Sequence, residues 1–262
     1  MDVSGRIARS IDGHQFTTIG GVSLETEKLE SALNNLPKDL PKWEGSTIND
    51  VKKVTEYIRE NAIYVAAVCL DKKTEQWPLF WDDADSYHQK IASASKMRTG
   101  FVKAANVIRY WLFGQCSAPL IAETIKRAGM PKVLDSNGLG IVEVNIVCDS
   151  DIQGTDNISA FKSCLEQFEK SQKKTNSLGL RMILKDLKID TEQNEPLILL
   201  ADYIAGICNS LFGAGKISAP AGLNLNDTKA ELDKVKDSGK IVVIKKSFDL
   251  NYREIFSNFE AI

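Results

Sequence analysis

Histidine is almost missing from this chain: 262 residues contain two, His14 and His88. A metal centre built on several imidazoles is therefore excluded. The five cysteines, Cys69, Cys116, Cys148, Cys164 and Cys208, are odd in number, form no CxxC pair and lie mostly in apolar segments. They are read as reduced core thiols of a cytoplasmic protein rather than as a disulfide or zinc framework. No apolar run reaches the roughly 20 residues that span a bilayer. The opening MDVSGRIARS has no apolar stretch after its charges, so neither a membrane association nor a signal peptide is expected. GxGxxG, a P-loop and internal repeats are also lacking; Gly20-Gly21 and Gly138-Leu139-Gly140 are expected to be turn or strand-edge glycines. Neither charge is in large excess, with 33 basic against 35 acidic side chains and a net charge of −2, so bulk charge does not announce a nucleic-acid partner as a strongly basic chain would. What is present, 43% hydrophobic and 26% charged residues, excludes a fibrous or largely disordered protein.

The pattern along the chain predicts a mixed α/β fold. A strand from about Val3 to Ser10, a turn at Asp12-Gly13 and a return strand from Phe16 to Leu24 read as a hairpin. Thr26 is expected to cap a short helix, and Ser46 or Thr47 the next, in which Val51, Val54, Tyr57 and Ile58 recur at helical spacing. Ala62 to Leu70 reads as a buried strand. Two or three helices follow between about Asp82 and Met130. In Ile141 to Cys148, Val142, Val144, Ile146 and Cys148 alternate with Glu143, Asn145 and Val147, the mark of a strand. A helix near Ser159 to Gln172, a strand from Leu180 to Leu187 and an apolar helix from Pro196 to Phe212 come next. A charged helix near Lys229 to Val235, peripheral or a partner surface, and a strand from Lys240 to Lys245 close the pattern. This order implies a mixed sheet with helices on its faces.

The informative residues are carboxylates standing where packing alone would choose something else. Asp202 is the single charged residue between Pro196 and Gly215, in a helix apolar all round and so expected to be buried. An ionised carboxylate there is costly unless it is paired, hydrogen-bonded or bound to a cation. Asp149 ends a strand, with Asp151 two residues on; a loop-starting Asp is its plainer reading. Glu44 precedes a helix, where a carboxylate is electrostatically favoured in any case. Asp2 in Asp2-Val3-Ser4-Gly5 could simply be exposed. Taken together, four acids from a first strand, a helix start, a strand end and a late buried helix could converge. Like charges that close need a cation, and hard oxygen donors suit Mg²⁺ or Mn²⁺.

These segments resemble the domain-of-unknown-function 3800 family, whose members are similar to the ribonuclease H-like, or retroviral-integrase-like, superfamily. Asp2-Val3-Ser4-Gly5 stands where the family has Asp-Glu-Ser-Gly, with Val3 in place of the Glu. Phe16-Thr17-Thr18-Ile19-Gly20-Gly21-Val22 is similar to its second strand. Glu44 matches a Glu before the first long helix, and Val147-Cys148-Asp149-Ser150 a strand ending in Asp. Leu199-Leu200-Ala201-Asp202-Tyr203-Ile204-Ala205-Gly206 looks like its late helix, the most specific of these motifs. The resemblance covers Asp2 to about Leu211. It implies a ribonuclease H-like mixed sheet flanked by helices over residues 1–216, a helical insertion around 82–132, and a C-terminal extension over 217–262 packed on or beside it. It also implies that Asp2, Glu44, Asp149 and Asp202 are catalytic residues holding Mg²⁺ or Mn²⁺ for phosphodiester hydrolysis. A non-catalytic binding or assembly module on the same fold, and a metal-dependent phosphatase of small phosphate esters, are the alternatives.

Charge is polarised within the chain. From Lys90 to Leu134, eight basic residues (Lys90, Lys96, Arg98, Lys103, Arg109, Lys126, Arg127 and Lys132) face Glu123 alone, with Phe101, Tyr110, Trp111 and Phe113 interleaved. Such a stretch can track a phosphate backbone and stack bases, or it can be a solvated helix face whose aromatics belong to the core. Lys96, Arg98, Lys103, Arg109, Lys126 and Arg127 are the candidate nucleic-acid-binding residues, for DNA or RNA; a homo-oligomer is a further possible assembly. Trp81-Asp82-Asp83-Ala84-Asp85 with His88 is read as an acidic helix N-terminus.

Overall fold

The strand Tyr64–Asp71 decides the architecture, because both of its faces are sealed from solvent. In the computed structural model, which describes residues 1–5, 7–11, 15–94, 104–129, 133–149, 180–213 and 219–246, Ala66, Val68 and Leu70 enter one apolar cluster while Val65, Ala67 and Cys69 enter another. A strand buried on both faces requires helices on both sides of its sheet. The described elements are, in chain order, β1 (Asp2–Ser4), β2 (Phe16–Ser23), α1 (Leu29–Asn35), α2 (Ile48–Glu60), β3 (Tyr64–Asp71), α3 (Trp77–Ala94), α4 (Ala104–Ala128), β4 (Gly140–Asp149), β5 (Leu180–Asp190), α5 (Leu197–Phe212), α6 (Leu225–Asp237) and β6 (Ile241–Lys246). Helices α3 and α4 cover one face through Trp77, Phe80, Tyr87, Val107, Ile108, Phe113 and Leu120. Helices α2, α5 and α6 cover the other through Val54, Ile58, Leu200, Ile204, Ile207, Leu232 and Val235.

The sheet is mixed. Strands run in the order β1-β2-β3-β6, antiparallel except for the parallel β3/β6 pair, and β4 and β5 form a parallel pair. Two backbone bonds join these groups: the Met1 amino group donates to the Val147 carbonyl (2.9 Å), and the Asp149 amide donates to the Met1 carbonyl (3.1 Å). That alternation is the parallel-ladder pattern. It sets Met1 opposite Cys148, and so Asp2 beside Asp149.

Several sequence expectations change in detail. β1 is short, ending at Ser4 just before Gly5, whose φ of 90° turns the chain out of the ladder. Gly20 and Gly21 are not turn or edge glycines but lie inside β2, where helices approach from both sides. Thr26 opens a 3₁₀ turn (Thr26–Lys28), and Lys28 rather than Thr26 stands at the N-cap of α1. Thr47, rather than Ser46, caps α2 in a capping box with Asp50. Asp82, Asp83 and Asp85 lie past the first turn of α3, which starts at Trp77, so they are not an N-terminal acidic cluster. The charged helix α6 is not peripheral: Leu232 and Val235 enter the core and β6 extends the sheet. The helix expected near 159–172 lies outside the described residues, as does Cys164. The other four cysteines are buried free thiols. No described helix is long and apolar enough to cross a membrane.

Candidate functional site

The alternation of β1 and β4 sends Met1 and Cys148 towards the α4 side, where both join the same apolar cluster. Asp2 and Asp149, one residue further on each strand, therefore face the α5 side. The two strands lie about 4.8 Å apart, as neighbours in a sheet do. Asp2 is registered against Gly20 of β2. A Cβ at Gly20 would fall 2.2 Å from the Ala201 carbonyl oxygen and 2.7 Å from the Ala205 amide. Helix α5 thus lies backbone-to-backbone on β2 at this point, and this close approach brings Asp202 to Asp2.

The helix is held there firmly. Ile198, Leu200, Ile204 and Ile207 are all buried, and each such side chain contributes about 1.5–3 kcal/mol. That is enough to offset partial burial of one carboxylate. One oxygen of Asp202 accepts a hydrogen bond from the Trp43 amide (2.9 Å). Trp43 is fixed in turn by Gly206, one helical turn beyond Asp202: a Cβ at Gly206 would fall 2.3 Å from the indole. The edge of Tyr203 completes the seat, with ring centroids 5.8 Å apart. The motif Asp202-Tyr203-Ile204-Ala205-Gly206 therefore has a physical reading. It places an acid, the ring that braces Trp43 and the gap that admits it on one side of the helix.

Burial, then the neighbouring charge of Asp202, pushes the Asp2 carboxyl from 3.8 up to about 7; Asp149 adds to the repulsion and the Val3 amide opposes it. Asp202 is also raised, first by burial, with the Trp43 amide and Lys42 opposing and Glu192 and Asp149 adding. Asp2, Asp149 and Asp202 thus act on one another. Among the described residues, no three Asp, Glu, His or Cys side chains stand as a preformed metal centre. One Asp2 oxygen is turned onto the amide of its own Val3 (2.6 Å), as one Asp202 oxygen is onto Trp43.

Glu44 is exposed in the 3₁₀ turn Trp43–Gly45. It lies one residue from the amide that binds Asp202, but it is not among the charges that set Asp2 or Asp202. Two residues missed by sequence reasoning are Lys42 and Glu192. Their ion pair is 2.6 Å long, and both charges act on Asp202. Nothing in the chain announces that pairing, because the partners sit on loops 150 positions apart.

The described basic residues Arg109, Lys126 and Arg127 lie on α4, away from the carboxylates. Lys96, Arg98 and Lys103 lie outside the described residues, as do Lys132 and Asp151. Helix α4 packs on the opposite face of the sheet from the acids. Along it, Arg109 is half-buried and about 26 Å from Lys126 at 1.5 Å per residue. Lys126 pairs with Glu123 (3.5 Å). The Arg127 guanidinium sits 4.9 Å over Tyr64 and donates to the Gly239 carbonyl (2.8 Å), tying α4 to the start of β6. Tyr110 and Phe113 are core residues, and Trp111 packs on Phe80 with ring centroids 5.3 Å apart.

Asp2 carries a stability consequence. Its folded-state value of about 7 lies above the unfolded value of 3.8. Between those pH values the folded protein holds a proton that the unfolded chain has released. Stability therefore falls as pH rises through that window, by at most about 4 kcal/mol. Asp2→Asn is expected to melt with the parent near pH 4 and increasingly above it from pH 5 to 8. Melting curves across pH without divalent ions check this; identical curves at pH 8 would show that burial and repulsion do not raise the Asp2 carboxyl.

No protein-family model, no curated protein and no solved structure matches this chain.

Proposed function

We propose that this protein is a divalent-metal-dependent phosphodiester hydrolase acting on nucleic acid, built on a ribonuclease H-like sheet similar to the domain-of-unknown-function 3800 family. The observation that carries the reading is that Asp2, Asp149 and Asp202 lie on the α5 side of the sheet near enough for the charges of Asp149 and Asp202 to act on Asp2. These acids come from the first strand, the end of a later strand and a late helix, the order that the resemblance implies.

The donor set fits Mg²⁺ or Mn²⁺. It is all oxygen, it is mutually repulsive, and one oxygen of each of Asp2 and Asp202 is already steadied by a backbone amide. Such ions supply Lewis acidity towards a phosphodiester and charge stabilisation for its departing oxygen. The chain's own part is to hold the donors: β4 fixes Asp149, Gly20 admits the helix that carries Asp202, and Trp43 orients the Asp202 carboxylate. Glu44, exposed on the turn beside Trp43, is the fourth acid of this reading.

The direct test is incubation of labelled single- and double-stranded DNA and RNA with the protein in Mg²⁺ or Mn²⁺, with and without chelator. Cleavage of at least one polymer, abolished by chelator, is expected. Cleavage indifferent to chelator would contradict the reading. Turnover of a small phosphate ester with all four polymers intact would move the activity to a phosphatase. Binding of a polymer without turnover would move it to a non-catalytic module.

A further inference from the structure

We propose that Lys42, clamped by Glu192, is a built-in counter-ion of the carboxylate site and competes with a divalent cation for it. The competition rests on the metal reading above; the pairing does not.

Two pieces of backbone geometry put this ion pair at the site. The Trp43 amide donates to Asp202 (2.9 Å), so Lys42, the preceding residue, enters beside that carboxylate. Asp190, the last residue of β5, is registered against Asp149, so Glu192 leaves the sheet two residues beyond Asp149's neighbour. The 2.6 Å bond between Lys42 and Glu192 closes the gap between these segments. Most exposed ion pairs contribute little, because two mobile side chains must be ordered in water. Here one partner is already ordered: the Glu192 side chain is 13% exposed. The Lys42 charge acts on Asp149 and Asp202 as well as on Glu192. Lys188 makes a useful contrast: it pairs with Asp190 (2.7 Å) and Glu195 (2.6 Å), so its charge is already answered twice. Among the described residues Lys42 pairs directly with Glu192, and its charge also reaches Asp149 and Asp202.

An ammonium in this position does part of a cation's work. It lowers the repulsion among Asp149, Asp202 and Glu192, so the loops can close before a metal arrives. It also opposes the metal, since a divalent ion among the same carboxylates would be repelled by it. Binding therefore requires Lys42 to swing outward, which its 67% side-chain exposure allows.

The test is Mn²⁺ binding by calorimetry to the full chain at low salt, where such effects are least screened. Wild type, Lys42→Met and Lys42→Arg are compared, with the fold of each checked by circular dichroism. Lys42→Met is expected to bind Mn²⁺ about tenfold more tightly, and Lys42→Arg within about twofold of wild type because the charge is kept. Without metal, Lys42→Met is expected to melt below wild type, and saturating Mn²⁺ is expected to remove the difference. Mn²⁺ affinity unchanged or weakened in Lys42→Met overturns the proposal and leaves the metal reading standing. Failure of every form to bind Mn²⁺ overturns both.

Discussion

Replacing Asp149 or Asp202 with Asn is expected to cut divalent-dependent cleavage by about a thousandfold or more, equivalent to about 4 kcal/mol of barrier, while leaving the protein folded. Each substitution is nearly isosteric and removes one negative charge. Neither should open a cavity. Asp202→Asn keeps an oxygen that can accept the Trp43 amide, now 2.9 Å from the carboxylate, so the turn carrying Trp43 stays in place. Because Asp149 and Asp202 repel Asp2, both variants should be at least as stable as the parent without metal. Lost activity combined with equal or greater stability separates a functional site from a structural one, since a buried acid serving the fold would destabilise on neutralisation. Initial cleavage rates with Mn²⁺, together with melting curves, check both halves. Cleavage within tenfold of the parent in both variants would remove these carboxylates from the reaction.

Gly20→Ala is expected to be the most damaging single-methyl change near the site. Its new Cβ would meet the Ala201 carbonyl oxygen at 2.2 Å and the Ala205 amide at 2.7 Å, both backbone atoms of α5. No rotamer can relieve that clash, so the helix must move off the sheet. Overpacking of this kind costs about 1–3 kcal/mol, and contact with rigid backbone puts Gly20→Ala at the upper end. At roughly 2–4 °C per kcal/mol for a chain of this size, the melting temperature should drop by about 6–12 °C. The helix carries Asp202 with it, so metal binding should weaken as well. Gly21→Ala is the control. Its Cβ meets Leu120 Cδ1 at 2.6 Å and Cys116 Sγ at 2.8 Å, side-chain atoms that can yield, so a smaller loss is expected. Equal melting temperatures for Gly20→Ala and the parent would mean that the approach of α5 to β2 is not what holds the site.

The sequence made some of this legible and hid the rest for physical reasons. The alternation of Val142, Val144, Ile146 and Cys148 revealed β4 because one of its faces is apolar and the other mixed. It also fixed which way Asp149 points. Asp202 was visible because a lone charge among leucines and isoleucines is expensive. Gly20-Gly21 reads as a turn or strand-edge pair but lies inside β2, since a glycine pair signals a turn as readily as a close approach, and only the partner helix distinguishes the two. The aromatics of α4 were ambiguous because helical spacing serves a base-stacking face and a core face alike; for Tyr110 and Phe113 the core took them. Lys42 and Glu192 were invisible, because the charges on two distant loops acquire meaning only when the sheet brings those loops together. Glu44 was favoured by its place before a helix, but that place left its side chain exposed while its neighbour Trp43 made the contact.

Anomalous scattering from a crystal soaked in Mn²⁺ tests the central claim most directly. The expected result is a manganese peak within bonding distance, about 2–2.5 Å, of carboxylate oxygens from Asp2, Asp149 and Asp202, weakened or lost in Asp149→Asn. A saturating soak that leaves no peak among these three residues, or places one only elsewhere on the molecule, would contradict the account.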